Sequence, residues 1–396
     1  MASKSTQPAT SAEELTVVMT LEGHEQPSWH DKYDIYLPNS ISISFVPGDE
    51  QMISGSEDKT VRKWDLQTGK EINEARILCE KEVCAVAVSR DGRWVITAGG
   101  NSWIDSDPPN AELKVWEIKT RITKTFRGHS QRVTCIDISA DGKLLASGST
   151  ETVRIWDLDT GKLVAGPFQT AYWMGAVQFS RDPMKLAAIS CFGKCLEVWD
   201  IQAQKSQCRI GKQDADGLVT STPVFWTTND KSIVAAFTPL ADEPKTIYEF
   251  DPLTLDTIGI PFEGHNHTVT GLALSFDCTL LATTSKDYTI KLWAFESRQL
   301  LASFDIQNFP NAVILSPDLR HLAYTTFDDL KIYMCNVPPN ILASIWSAQD
   351  AQSTVCTRLD TCVIPALKSY CRAVYFHPEV TYSMYALIIS LNYATH

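Results

Sequence analysis

The stretch GHNHTVTGLALSFDCTLLATTSKDYTIKLW, from Gly264 to Trp293, is the most informative segment of the chain. It opens on Gly264-His265 and alternates apolar and polar residues through two runs separated by Phe276-Asp277-Cys278. It turns again at Lys286-Asp287-Tyr288 and ends on Trp293. Short alternating runs bounded by turn residues read as half-buried β-strands.

The same order recurs along the chain. An Asp in a short turn, an apolar run and a large aromatic succeed one another from Asp49 to Trp64, Asp91 to Trp116, Asp141 to Trp156 and Asp182 to Trp199. They do so again from Asp230 to Phe250, Asp277 to Trp293 and Asp318 to Tyr333, making seven units. Their aromatics lie 52, 40, 43, 51, 43 and 40 residues apart, against a period of roughly 40–45 for a four-stranded propeller blade. Both long intervals carry inserted loops. Helical periodicity is weak before residue 340, so the expected class is all-β. Because each blade leans on its neighbours, one closed ring accounts for the 396 residues better than several unrelated domains.

A ring must be fastened. Leu15 to Leu21, LTVVMTL, precedes the first complete unit, while the last unit lacks a fourth strand after Tyr333. Pairing the amino-terminal strand with the last blade removes both open edges. Ile341 to Ile345, ILASI, echoes Leu300 to Phe304, LLASF, and competes for the same place. The expected organisation is a polar, disordered segment 1–14, a propeller over 15–340 and an extension over 341–396 outside the ring.

Composition narrows the function. A net charge of −12, from 35 basic and 47 acidic residues, argues against a phosphate backbone as partner. No apolar run approaches the roughly 18–20 residues of a membrane span, and the start MASKSTQPATSAEE has no secretory character. Eleven cysteines without an export signal read as free thiols in a reducing compartment. Cys191 and Cys195 look like two arms of one hairpin, not a metal site. These features predict an intracellular protein, cytoplasmic or nuclear, monomeric as a propeller, with no cofactor and no metal.

Trp64-Asp65, Trp156-Asp157 and Trp199-Asp200, with Gly23-His24, Gly128-His129 and Gly264-His265, give the chain its resemblance to the WD40-repeat family over roughly residues 15 to 340. Ser54 to Asp65, SGSEDKTVRKWD, also resembles the WD-repeat proteins abundant in filamentous fungi. The resemblance implies a seven-bladed propeller that acts as an interaction platform without catalysis. It further implies that His24, Ser54, Asp58 and Trp64, and His265, Thr283, Asp287 and Trp293, form structural tetrads. A buried imidazole needs a partner at each ring nitrogen, which a hydroxyl and a carboxylate supply. A Ser-His-Asp set could also be a nucleophilic triad, but a catalytic set is needed once and this one repeats with a Trp attached. In the third unit His129, Ser147 and Trp156 match, while Thr150-Glu151 stand where the Asp would be. Other units depart further: Trp116 is followed by Glu117, and the fifth and seventh units end on Phe250 and Tyr333.

No phosphate-binding loop, HExxH or paired CxxC occurs. The insertions are the remaining functional signal. One follows His24 and carries Trp29, Asp31, Tyr33, Asp34 and Tyr36; one precedes the Trp116 strand and carries Trp103, Asp105 and Asp107; a third covers Pro239 to Lys245. Tyr172-Trp173 occupies a turn of the same kind. In antiparallel blades these turns share one face, so aromatics and carboxylates collect there. Tyr and Trp on loops over a rigid scaffold suit partner binding. The expected partner is a protein or peptide with a basic segment. Alternative readings are a substrate-receptor subunit of a ubiquitin ligase or chromatin complex and, less favoured, a propeller enzyme. The Trp-Asp dipeptides lack the Arg two positions on that such ligase receptors share.

Overall fold

The computed structural model describes residues 15–25, 41–48, 50–72, 77–100, 111–120, 122–150, 152–170, 174–190, 194–211, 223–238 and 244–345. They form seven antiparallel sheets in chain order. The innermost strands are Ile41–Val46, Val83–Val88, Val133–Ile138, Met174–Phe179, Val224–Trp226, Val269–Leu274 and Pro310–Leu315. From each, the sheet steps outward strand by strand, and the inner strands of the first and seventh blades are neighbours, which closes the circle.

The fastening strand is Val17–Glu22. It pairs antiparallel with Lys331–Asn336, Thr20 opposite Tyr333 and Leu21 opposite Ile332, as the fourth strand of the seventh blade. The competing segment does not pair: residues 339–345 are helical. By its contacts the chain divides into Met1–Leu342 and Ala343–His396, and the propeller lies in the first unit.

Apolar alternation builds cores between blades, not within them. Val153 and Ile155 of the third blade, for example, share a cluster with Met174, Val177 and Leu186 of the fourth. Second strands are buried on both faces, as Leu144–Ser149 is from Leu145 onward, and this requires small residues. A Cβ at Gly148 would lie 2.6 Å from Cys135 Sγ and 3.1 Å from Met174 Cβ, and one at Gly55 would lie 2.5 Å from Val86. Adjacent blades close onto those glycines.

The recurring Asp has a local cause. Ser139 Oγ donates to Asp141 Oδ1 at 2.6 Å, Lys143 N donates to the same carboxylate and Leu144 N donates to Ser139 Oγ. The same Ser-x-Asp turn links first and second strands at Ser89-Asp91, Ser275-Asp277 and Ser316-Asp318.

Two blades depart from the pattern. The fifth has three strands, its outer position held by isolated bridges at Ile247–Phe262 and Phe250–Thr257. In the seventh, Tyr333 is not the counterpart of the other blades' tryptophans. Trp293 faces Leu281, and the matching register in the seventh blade pairs Cys335 with Leu322. Tyr333 sits two residues earlier, stacked on Tyr324 with centroids 5.0 Å apart. The last interval is therefore 42 residues, close to that of the regular blades. The turn before Lys331 is one residue longer than the one before Thr289, so the paired position falls later than the sequence interval suggests.

Candidate functional site

In the first blade, His24 Nδ1–H donates to Asp58 Oδ2 at 2.8 Å, Ser54 Oγ–H donates to His24 Nε2 at 2.7 Å, and Trp64 Nε1–H donates to Ser54 Oγ at 2.8 Å. The carboxylate fixes the imidazole tautomer, and the single hydroxyl then serves as donor to one ring and acceptor from the other. The sixth blade repeats the circuit with His265–Asp287 at 2.9 Å, His265–Thr283 at 2.7 Å and Trp293–Thr283 at 3.0 Å. Asp58 also accepts from Glu25 N, and Asp287 from Asn266 N, so each network ties an inter-blade connection to a turn inside the blade. Burial would raise the Asp287 carboxyl, but hydrogen bonds from His265, Thr289 and Asn266 N–H hold it well below its ordinary value. Burial pushes His265 down, with Asp287 pulling partly back. Ser54 is wholly buried beneath Trp64, out of reach of any substrate. The Gly before each His is there because a Cβ on Gly264 would lie 3.0 Å from the Trp293 ring.

The third blade replaces the carboxylate with two hydroxyls. His129 Nε2 meets Ser147 Oγ at 2.7 Å and Trp156 Nε1 donates to that same oxygen, while His129 Nδ1 lies 3.1 Å from Ser149 Oγ and 3.2 Å from Thr152 Oγ1. Thr152 is the counterpart of Thr60 and Thr289, which reach the imidazole in the other two blades. Elsewhere the network thins to different degrees. Trp116 reaches Thr97 at 3.3 Å; Ala188 stands opposite the Trp199 strand where the hydroxyl would be; and in the fifth blade Ala235 and Phe250 remove acceptor and donor together. Losing both partners leaves nothing unsatisfied.

With no carboxylate beside it, burial pushes His129 down to about 3, and the Arg154 guanidinium adds to the shift. The folded protein therefore holds this ring neutral, while the unfolded chain takes up a proton near pH 6.5. Its contribution to stability is complete above pH 6.5 and is lost as pH falls from there toward 3. In urea unfolding at pH 7, 5.5 and 4.5, His129→Gln is expected to flatten the acid-side decline by at most ~1.4 kcal/mol per pH unit, one proton's worth. An unchanged slope would rule out His129 as a source of the acid sensitivity.

The ten candidate partner-binding residues, Trp29, Asp31, Tyr33, Asp34, Tyr36, Trp103, Asp105, Asp107, Tyr172 and Trp173, lie outside the described residues. The described ends that flank them belong to the end of the ring where the tetrad histidines sit. That end also holds a cluster with no sequence signal. Arg132, just before the third inner strand, bonds Glu57 Oε1 of the first blade at 2.5 Å and Glu82 Oε2 of the second at 3.1 Å, and its Nε donates to Cys84 Sγ. All three charged side chains are at most 13% exposed. Partners 75 and 50 residues away bind three blades into one rim.

Residues 15–65, 120–157 and 257–294 match the family described as WD domain, G-beta repeat. Over those residues the chain carries WD40 repeats, and its seven sheets give it the fold of the seven-bladed propeller class. It is similar to Eukaryotic translation initiation factor 3 subunit I of Bombyx mori, 27% identical over 253 residues that cover 61% of this chain and 72% of that protein. The protein of the same name from Drosophila yakuba is 24% identical over 50% of this chain and 62% of its own length. That from Neurospora crassa is 28% identical over 46% and 53% respectively. No helix among the described residues is long and apolar enough to cross a membrane.

Proposed function

We propose that this chain is a non-enzymatic WD40 scaffold, a subunit of a multi-protein assembly of the translation-initiation-factor-3 type. It acts in the cytoplasm and binds protein or peptide segments through its loop-rich face. The observation that carries the reading is the similarity to relatives of one name, translation initiation factor 3 subunit I, joined to a propeller of matching class. The blade networks support a scaffold role, since their polar groups are spent on holding strands together. On the loop-rich face the carboxylates Asp31, Asp34, Asp105 and Asp107 steer a basic segment, and Trp29, Tyr33, Tyr36, Trp103, Tyr172 and Trp173 anchor it.

Affinity purification from the native cell tests both levels. The intact protein is expected to bring down initiation-factor subunits. A Trp29→Ala, Tyr33→Ala, Trp103→Ala variant with unchanged circular dichroism is expected to lose at least one of them, because truncating a hot-spot aromatic costs about 2 kcal/mol or more. An unchanged partner list would remove the loop-rich face from the reading. Recovery of ligase or chromatin subunits in place of initiation factors would replace the assembly.

A further inference from the structure

The end of the ring opposite the tetrad histidines carries a second feature. There the turns between first and second strands of all seven blades surround a cavity of about 610 Å3 at the mouth of the central channel. Its wall mixes apolar side chains, Val86, Leu274 and Trp226 among them, with hydroxyls and amides, and its charged groups are Arg90, Asp137, Arg181 and Asp230.

The lining is formally neutral, two arginines against two aspartates, but no ion pair joins them among the described residues. Both carboxylates are already engaged by backbone: Asp137 accepts from Phe179 N at 2.7 Å, and Asp230 accepts from Arg181 N and Asp182 N at 2.7 and 3.1 Å. The Arg90 charge acts on the Asp137 carboxyl, which burial raises to about 7, but neither guanidinium forms an ion pair among the described residues. Arg62, Arg93, Arg132, Arg209 and Arg298 each pair with a glutamate. Arg90 instead lies over the Phe276 ring, 5.3 Å from its centroid, which brings the second and sixth blades together across the mouth. Arg181 reaches only the Asn229 amide oxygen, at 3.5 Å. Phe276 is 69% exposed, a large apolar ring left in water at the rim of the cavity.

Two guanidiniums without an ion-pair partner among the described residues, beside an exposed aromatic, in a protein of net charge −12, form a receptor of defined chemistry. The geometry points to this channel mouth as a second docking site, one that takes an acidic peptide segment of a protein partner. Its Asp or Glu side chains pair with Arg90 and Arg181, and a neighbouring apolar residue packs on Phe276. Charge-assisted pairs to arginine are directional and strong. The site lies on the face away from the loop insertions and does not depend on them.

A phage-displayed library of random dodecapeptides, panned on the full chain, tests the inference. Selected peptides are expected to be enriched in Asp and Glu beside a Leu or Phe. In fluorescence anisotropy their affinity is expected to fall about tenfold for each of Arg90→Gln and Arg181→Gln, to fall with Phe276→Ser and to weaken with salt. It should be unchanged in the Trp29→Ala, Tyr33→Ala, Trp103→Ala variant, which separates this site from the loop-rich face. Thermal melts matching the parent protein confirm that the variants fold. Selection without acidic enrichment, or affinities indifferent to both arginines, overturns the inference. So does arginine-dependent binding of oligouridylate without selection of acidic peptides, which would make the mouth a nucleic-acid site.

Discussion

Deletion of residues 1–22 is expected to abolish cooperative folding of the propeller. The strand Val17–Glu22 contributes the fourth strand of the seventh blade, and Leu21, 1% exposed, packs with Ile332 and Met334 of that blade and Ile41 and Trp64 of the first. Its loss bares the edge of Lys331–Asn336 and opens the junction where the circle closes. Losing Leu21 alone costs about 2–5 kcal/mol, and unpaired backbone along an exposed edge invites association with other chains. Against a total stability of roughly 5–15 kcal/mol, the remainder of the ring is expected to aggregate or unfold over a broad range. Size-exclusion chromatography and thermal melts read this directly. A control deletion of residues 1–14 should melt like the parent, because strand pairing starts at Val17, and a synthetic peptide spanning residues 15–25 should restore the melt in trans. If the longer deletion melts within a few degrees of the parent, the ring is closed by something other than this strand.

Trp293→Ala is the second large effect. Trp293 is 2% exposed, edge-on to Phe262 with centroids 5.8 Å apart, and its indole N–H is bound by Thr283. Truncation to Ala opens a cavity between the fifth and sixth blades and is expected to cost about 3–5 kcal/mol. Trp293→Phe keeps most of the packing and removes only the N–H, so it should cost about 1 kcal/mol. Thr283 would still donate to His265. The fifth blade shows that a Phe at this position is compatible with the architecture, since Phe250 stands there facing Ile233, with Ala235 in the place of the hydroxyl. Trp116→Ala should cost less than Trp293→Ala, because Trp116 is only half-buried and its bond to Thr97 is 3.3 Å long. Chemical denaturation of the three variants ranks them. Equal losses for Trp293→Ala and Trp293→Phe would show that the hydrogen bond, and not the packing, carries the energy.

Much of this was legible in one dimension. A period of about 40 residues, a Gly-His opening, an Asp turn and a closing Trp identify seven blades, because each is a short-range requirement that every blade must meet separately. The need for a fastening strand follows from the same periodicity, but two segments, Leu15 to Leu21 and Ile341 to Ile345, could meet it by pattern alone. The residues of two tetrads could be named because blade spacing fixes their register. Register is also where the reading failed. Tyr333 satisfied the interval, but strand pairing gives its place to Cys335, since turn length can vary without disturbing the ladder of hydrogen bonds. Which hydroxyls replace the missing Asp beside His129 was equally hidden, because Ser149 and Thr152 reach it only when a tight turn folds them back.

The sequence by itself determined the class and the number of blades, consequences of local pattern repeated until the ring closes. Only the tertiary structure decided which of two candidate strands fastens the ring and what the ring brings together at its two ends. Arg132 finds Glu57 and Glu82 across three blades, and Arg90 meets Phe276 across the channel. The physical reason is that closure sets side chains from distant blades facing one another at separations unrelated to their distance along the chain.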